Sequence, residues 1–307
     1  MPAKVILNPY AGRWKGRERL PEIEKALVDA GVIYEIVTTE RYGHGLELAR
    51  QALMEGFSPI ISAGGDGSLS EVVNGMLQAT GGKACQVPLG IMPLGTANDF
   101  VVNLGLPLDF SRMAQVIASG KTRSVDLGYL DLPELGRGWY FDNNSAIGLE
   151  PYITLKQEKI SRLRGITRYL VAALQGIADN PQWTVRVEWD AGQYEGPANL
   201  VTVGMNPLTG GLFYMTPHAN PYDGLLTFVY GYMATRWQIL RLLPRTMKPG
   251  KGSYVEYPSI HEVTATWLTI HTDKPAPIHG DGVIQSERIQ DVAYKVLPAY
   301  LPVLQPA

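Results

Sequence analysis

The sequence predicts an α/β plus β protein, with a parallel-sheet α/β domain over residues 1–125 and a β-sandwich-like domain over residues 126–307. Three observations predict it. Short apolar runs recur through the first 125 residues with helix-period segments between them, which is the pattern of βαβ units. Past Val125 the pattern changes to β-rich runs separated by turn residues, as in a sandwich or open barrel. Glycine-bearing segments follow three of the four early strands, at the edge where open α/β sheets take ligands. The last ~10 residues are kept as candidates to return to the first domain.

The early strands are KVILN (4–8), YEIVTT (34–39), SPIISAG (58–64) and PLGIMPL (88–94). Leu20, Ile23 and Leu27 fall on one helical face, and Gly31 is placed to end that helix. Leu46, Ala49 and Leu53 make a second face, closed by Gly56. In the second half GWYFDNNSAIGLE, WTVRVEW, PANLVTVGMN, GLLTFVYGYM and HEVTATWLTIHT read as strands. In the last of these Val263, Ala265 and Trp267 alternate with Glu262, Thr264 and Thr266, which predicts one half-buried strand. Two helical insertions interrupt the β region. KQEKISRLRGITRYLVAALQGI carries Ile160, Leu163, Ile166 and Leu170 on one side, and RWQILRLLPR is apolar with arginines interspersed. No solenoid-length repeat, low-complexity tail or Gly/Ser-rich linker is present, so the halves are expected to pack closely.

At 307 residues, 45% hydrophobic and 18% charged, the composition is that of a soluble globular chain and excludes a disordered one. Lys and Arg number 27 against 29 Asp and Glu, and a net charge of −2 offers nucleic acid no general attraction. Cys85 is the single cysteine, which excludes an intrachain disulfide and fits a reducing compartment. The opening MPAKVILNPYAG runs straight into a strand without a signal-peptide core, and no apolar run approaches the ~18 residues of a membrane span. The expectation is a cytoplasmic protein whose contact with membrane is peripheral. Nothing in the sequence fixes an oligomeric state, a homodimer included.

The stretch PIISAGGDGSLSEVVNG (59–75) passes from strand, through three glycines around Asp66, into helix. Ser68 and Glu71 have the S-x-x-E spacing of a capping box, which predicts a helix start just after Gly67. Free N–H groups and the positive end of the helix dipole then face the glycines, where a phosphate fits. The plainer alternative is a flexible strand–turn–helix corner. Neither G-x-x-x-x-G-K-[ST] nor G-x-G-x-x-G is present. PLGIMPLGTANDF (88–100) repeats the grammar, with Thr96 and Asp99 at cap spacing, and NPYAG (8–12) follows the first strand. Three such turns at one sheet edge favour a polyphosphate site. Asp66 and Asp99 are carboxylates of the kind that hold Mg²⁺ and orient a hydroxyl in phosphoryl transfer, and the plainer alternative is that Asp99 only caps its helix and Asp66 only stabilises a turn.

In this order and spacing, NP-x-x-G, GGDGS-x-x-E and P-x-GTAND resemble the diacylglycerol kinase catalytic family, the bacterial lipid kinases related to sphingosine and ceramide kinases. NPYDGLL (220–226) and IHGDGV (278–283) fall where that family has two later Asp-Gly signatures, so the resemblance spans the chain. It implies an ATP- and Mg²⁺-dependent kinase for a lipid hydroxyl, with a Rossmann-like nucleotide domain and a β-rich lipid-side domain. The first choice of substrate is diacylglycerol, giving phosphatidic acid, and the alternative is a sphingoid base or ceramide. By matching position the resemblance assigns ATP contacts to Asn8, Pro9, Tyr10, Ala11, Gly12, Thr39, Gly65, Asp66, Gly67, Ser68, Leu69, Ser70, Glu71 and Thr96. It assigns catalysis to Asp66, Asp99 and Asp281, and a structural Mg²⁺ to Asp223 with the carbonyls of Asn220 and Leu225. Read without the resemblance, Asp223-Gly224 is a hairpin turn.

The chain departs from the family where a glutamate, the family's proposed general base, is replaced by Val283 in Asp281-Gly282-Val283. Three readings stay open: Asp66 acts as base, Asp281 or a neighbour such as Glu287 moves in, or the protein binds nucleotide or lipid without turnover. Ser68 and Ser70 stand for the usual Thr and Asn and keep small polar groups. The histidines at 44, 218, 261, 271 and 279 lack metal-ligand spacing, with His279 beside Asp281 the one to watch. TRWQILRLLPRTMKPGKGSY (235–254) reads either as a helix on the sandwich or as a basic, apolar surface for anionic lipid.

Overall fold

The computed structural model describes residues 1–160, 163 and 165–306. The chain forms two compact units, Met1–Leu127 with Pro298–Ala307, and Gly128–Leu297.

The first unit begins with β1 (Ala3–Leu7), α1 (Ala11–Trp14), α2 (Leu20–Asp29), β2 (Tyr34–Thr38), α3 (His44–Met54) and β3 (Ile60–Gly64). It continues with α4 (Asp66–Ala79), β4 (Leu89–Pro93), α5 (Asp99–Asn103) and α6 (Phe110–Ser119). The strands pair in the order β2-β1-β3-β4, all parallel, with Ala63 against Leu7 and Met92. Every residue of β3 and β4 is buried, which is why both read as uninterrupted apolar runs. α2 buries Ile23, Ala26 and Leu27, and Gly31 lies past its end at φ +73°. On α3 the buried face is Gly45, Ala49 and Ala52, not the expected stripe of Leu46, Ala49 and Leu53. The reason is the close approach of α4: a Cβ on Gly75 would stand 2.2 Å from the Leu46 carbonyl oxygen and 2.9 Å from Ala49 Cβ. α6, unread in the sequence, is capped by the Asp109 carboxylate, which accepts from the Arg112 amide.

The second unit is mainly antiparallel. β5 (Thr122–Leu132) leads into it, followed by β6 (Arg137–Phe141), β7 (Asn144–Gly148), α7 (Leu149–Lys159) and α8 (Gly165–Asp179). Next come β8 (Trp183–Trp189), β9 (Gly192–Ala198), β10 (Leu200–Gly204), β11 (Leu208–Thr209), β12 (Phe213–Tyr214) and β13 (Leu226–Gly231). The chain ends with α9 (Arg236–Leu242), β14 (Ile260–Ala265), β15 (Trp267–Gly280) and β16 (Val283–Leu304). The strands run β14-β13-β10-β7-β15-β16, with β8 and β9 continuing from β15. Leu130, Phe141, Val203, Phe228, Leu268 and Ile278 lie in their common core.

Three expectations are corrected here. The alternation from Glu262 to Trp267 does not make one strand: the chain breaks at Thr266, whose amide and hydroxyl bond Asp190, and Trp267 is exposed. The first helical insertion is two helices, because α7 starts directly after β7 and Ile160 already has extended backbone. Leu163 and Leu170 are exposed, while Ala172, Ala173 and Ile177 are buried. The side chain of Ile166 lies outside the described residues, as do residues 161, 162 and 164. No helix among the described residues is long and apolar enough to cross a membrane.

Candidate functional site

In the first unit the three sequence-predicted turns meet. β1 hands directly into the Asn8 turn: the Asn8 amide donates to the Ala63 carbonyl (2.9 Å), and its side-chain oxygen accepts from the Tyr10 amide (2.9 Å). The Asn8 side-chain amide donates to Ser68 Oγ on α4 (2.7 Å), tying the first turn to the second. The Leu94 amide donates to the Gly64 carbonyl (2.9 Å), tying the second to the third. Glycine is required at the contact. A Cβ on Gly65 would lie 3.0 Å from Gly95 Cα, one on Gly95 would lie 2.6 Å from Gly65 Cα, and one on Gly12 would lie 2.5 Å from the Leu94 oxygen. Gly67 alone of the central glycines meets nothing within 4 Å.

Both predicted capping boxes are corrected by the geometry. α4 starts at Asp66, so Ser68 lies inside the helix and its hydroxyl serves Asn8. The Glu71 carboxylate reaches sideways to the start of α3, accepting from the amides of Gly43 (2.9 Å) and Gly45 (3.0 Å). It satisfies orphan donors of a neighbouring helix instead of its own. α5 starts after Asn98, which has φ +53° and folds its side chain back on Gly95, while Thr96 is exposed and makes no cap.

Asp66 takes the cap position instead. Its carboxylate lies over the mouth of α5 and accepts from the Phe100 amide at 3.4 Å. Burial pushes the Asp66 carboxyl above the usual carboxylate range, and the amides of Phe100, Asp66 itself, Asp99 and Asn98 offset only part of that. A carboxylate with raised proton affinity at a turn is suited to take a proton. Asp99, the first residue of α5, is buried.

Beside these turns is a pocket of about 290 Å³ lined by Asn8, Tyr10, Thr39, Ser68 and Glu71, together with Arg41, Tyr42 and Gly45. The first five were predicted; the last three follow β2 and carry no turn–helix signal of their own. Leu69 and Ser70 are buried in the core of the unit, away from the pocket, and the Leu69 amide bonds the Gly65 carbonyl. Pro9, Ala11 and Gly12 flank Tyr10 on the same turn, and Tyr10 packs edge-on against Trp14 at 4.9 Å.

In the second unit Asp281 is a backbone pin. Its carboxylate accepts from three successive amides, those of Asp142 (3.1 Å), Asn143 (3.0 Å) and Asn144 (3.1 Å), and its own amide donates to the Asn144 carbonyl (2.7 Å). Asp281 has φ +50° and precedes Gly282 at +74°, so the Asp-Gly pair makes the tight turn between β15 and β16. Val283 begins β16 opposite Gly280. His279 Nε2 lies 3.2 Å from Glu150 Oε1, and Glu150 also accepts from the Asn144 side chain (2.9 Å). Burial pushes the Glu150 carboxyl up, but His279, Asn144 and the Thr202 side chain outweigh it and hold the group below its ordinary value.

The loop at Asn220 closes on itself. Asn220 accepts from the Tyr222 amide (3.2 Å), Asp223 accepts from the Leu225 amide (3.0 Å), and Gly224 has φ +72°. Among the described residues no group of three or more His, Cys, Asp or Glu gathers to hold a metal. One exposed carboxylate flanked by carbonyls is nonetheless a donor set that a largely hydrated Mg²⁺ accepts, since that ion keeps several waters and takes one or two carboxylates.

Residues 2–130 match the diacylglycerol kinase catalytic domain, and residues 145–305 match the YegS C-terminal NAD kinase beta sandwich-like domain. A diacylglycerol kinase of Staphylococcus saprophyticus is 28% identical over 283 residues, covering 91% of this chain and 88% of that protein. One of Staphylococcus aureus strain MRSA252 is 28% identical over 286 residues, with 91% and 85% covered. Among solved structures, a diacylglycerol kinase from Bacillus anthracis str. Sterne is similar with a TM-score of 0.73 at 21% identity, over 99% of this chain and 97% of that one. Yeast NADH kinase complexed with NADH is similar with a TM-score of 0.54 at 12% identity, over 100% and 84%. At these identities the two structures are alike in fold alone.

Proposed function

The chain belongs to the diacylglycerol kinase catalytic family, and from that premise we propose that it transfers the γ-phosphoryl group of ATP to a lipid hydroxyl, with diacylglycerol as acceptor and phosphatidic acid as product. The observation that carries the reading is the joining of the Asn8, Gly65 and Gly95 turns beside a polar pocket. Backbone amides at such turns favour polyphosphate. Asn8, Tyr10, Thr39, Ser68 and Arg41 line the nucleotide pocket, with Gly67 the glycine left facing open space.

Asp66 is the base that takes the proton of the lipid hydroxyl. Its raised proton affinity supports this, and so does the valine at 283 where the family has glutamate. Asp99, beside Asp66 at the mouth of α5, is the residue to hold the catalytic Mg²⁺, which when bound would neutralise charge on the phosphates. Asp223, with the carbonyls of Asn220 and Leu225, is the candidate for a second, structural Mg²⁺. Asp281 is a positioning residue, since its carboxylate is engaged with backbone amides. Residues 235–254, with exposed Arg236, Trp237, Arg241 and Lys248, are proposed to meet anionic lipid.

A sphingoid base or ceramide is the alternative acceptor. Val283 also supports a second reading, a protein that binds nucleotide or lipid and has lost turnover.

The test is transfer from γ-labelled ATP with Mg²⁺ into mixed micelles of diacylglycerol, sphingosine or ceramide. Wild type should label one lipid, and Asp66→Asn should lower the rate by about 10²–10⁴-fold, the usual cost of losing a general base. A silent wild type with an active Val283→Glu would establish the second reading. Label on NADH and on no lipid would overturn the proposal.

A further inference from the structure

The pocket of the first unit has a lining that phosphate binding does not explain. Ile6 and Val72, both buried, line it with carbon, and Tyr10 and Tyr42 border it from the turns that follow the adjacent strands β1 and β2. On the loop after β2 the resemblance assigned Thr39 alone, so Tyr42 has no role from it. At about 290 Å³ the pocket lies at the small end of small-molecule sites. That size suits a base with its sugar, the phosphates lying outside on the glycine turns.

The loop that carries Tyr42 is tied down on both sides of it. The Glu40 amide donates to His44 Nδ1 (3.1 Å), the His44 amide donates to the Arg41 carbonyl (3.2 Å), and the Gly43 and Gly45 amides donate to Glu71. Tyr42 is 74% exposed on this fixed loop, so burial gives no reason for an aromatic residue there. The amide, the cation and the carboxylate among the lining side chains are meanwhile engaged within the fold. Asn8 holds Ser68 and the Tyr10 amide, and Arg41 holds Glu47 Oε2 (2.6 Å) and the Tyr42 carbonyl (3.5 Å). Glu71 takes one amide on each oxygen, and Tyr10 packs edge-on against Trp14. The pocket therefore offers a ligand the face of the Tyr42 ring and apolar side chains, more than polar groups that read an edge.

We infer that Tyr42 selects the nucleotide base by stacking on its face, so that the pocket takes ATP and GTP alike and disfavours CTP and UTP. Every base has a π-face, and a purine lays two fused rings on the phenol where a pyrimidine lays one. Adenine and guanine differ in the donors and acceptors on their edges, and the engaged side chains of this pocket do not read those. The inference deepens the kinase reading, naming the class of phosphoryl donor, and rests on it for the presence of a nucleotide. Binding is tested without transfer, so the two can fail separately.

The experiment is calorimetric titration of the full chain with ATP, GTP, CTP, UTP and inorganic tripolyphosphate, which has no base, all with Mg²⁺. Wild type is expected to bind ATP and GTP within about threefold of each other and at least about fivefold tighter than the other three probes. Tyr42→Ala should weaken both purine nucleotides by about 5- to 150-fold, the usual effect of removing one stacking ring, and leave tripolyphosphate unchanged. Tyr42→Phe keeps the ring and should bind as wild type does. In the micelle transfer assay Tyr42→Ala should raise the KM for ATP by the same factor and leave kcat in place, as for binding equal in ground and transition states. CTP bound as tightly as ATP, GTP bound more than about tenfold more weakly than ATP, or an unaltered ATP affinity in Tyr42→Ala overturns the inference. Any of these with transfer from ATP intact leaves the kinase reading standing. Purine binding that depends on Tyr42, without transfer to any lipid, supports the inference and refutes the kinase. A wild type that binds no nucleotide overturns both.

Discussion

Asp281 distinguishes a catalytic carboxylate from a structural one. Its side chain accepts from the amides of Asp142, Asn143 and Asn144, all three residues buried. Truncation to alanine leaves three buried donors in a row. Hydrogen bonds to a charged group contribute about 1.5–3 kcal/mol each, so full loss would cost about 4–9 kcal/mol. Asp281 itself is only half-buried, and water entering its place recovers part of that, leaving about 3–5 kcal/mol for Asp281→Ala. On a scale of about 5–15 kcal/mol for a whole domain, that is a large fraction. Asp281→Asn keeps one acceptor oxygen and turns an NH₂ toward an amide donor, and should lose about 1–3 kcal/mol. For a unit of this size the alanine variant should melt about 6–20 °C lower. The assay pairs calorimetric melting with lipid phosphorylation at a temperature where both proteins are folded. The expected result is a large drop in melting temperature, with transfer per folded molecule falling far less. An Asp281→Ala protein that melts within about 2 °C of wild type while its transfer is abolished would refute the structural assignment.

Asp66→Asn should raise stability at neutral pH while lowering transfer. The folded-state pKa of Asp66 lies above its unfolded value, so the wild type loses stability as pH rises from the ordinary aspartate range through the raised folded value. Denaturant melts of the two proteins should therefore converge at acid pH and separate at neutral pH, and a less stable Asp66→Asn at neutral pH would contradict this. Gly95→Ala puts a Cβ 2.6 Å from Gly65 Cα and 2.5 Å from Asn98 Oδ1. It should cost about 1–3 kcal/mol and weaken ATP binding by calorimetry, because both turns must part. Glu71→Ala frees the Gly43 and Gly45 amides at the start of α3 and should cost about 1–2 kcal/mol, with hydrogen exchange rising at the α3 N-terminus first.

What was legible in the sequence follows physical lines. β3 and β4 are buried along their whole length, so their composition alone announced them. Gly31 and Gly56 marked helix ends because a positive φ past the last turn favours glycine. Capping was misread because S-x-x-E spacing states only that a serine and a glutamate lie one turn apart. Glu71 reaches α3 because Gly45 presents no side chain in its way: a Cβ there would stand 2.8 Å from Glu71 Oε2. The Asp281 pin joins residues 137 to 139 positions apart, a separation on which an Asp-Gly pair carries no information. An apolar cavity walled by α7, α8 and α9 in the second unit was illegible for a different reason. Ala173 and Ile177, which line it, have the chemistry of any core residue.

The glycines around Asp66 raise the same distinction between architecture and chemistry. Gly65 and Gly95 are needed because two turns touch backbone to backbone, and this holds whether or not a phosphate ever binds. A sequence that keeps GGDG and P-x-GTAND thus keeps one interlocked corner, so the motifs are stronger evidence for the fold than for turnover. Chemistry rests on groups that the corner does not need. Gly67 faces open space and could carry a side chain without collision, and the Asp66 carboxylate is held over α5 despite the cost of burying its charge. That buried carboxylate, with its raised proton affinity, is what supports the proposed phosphoryl transfer beyond the fold itself.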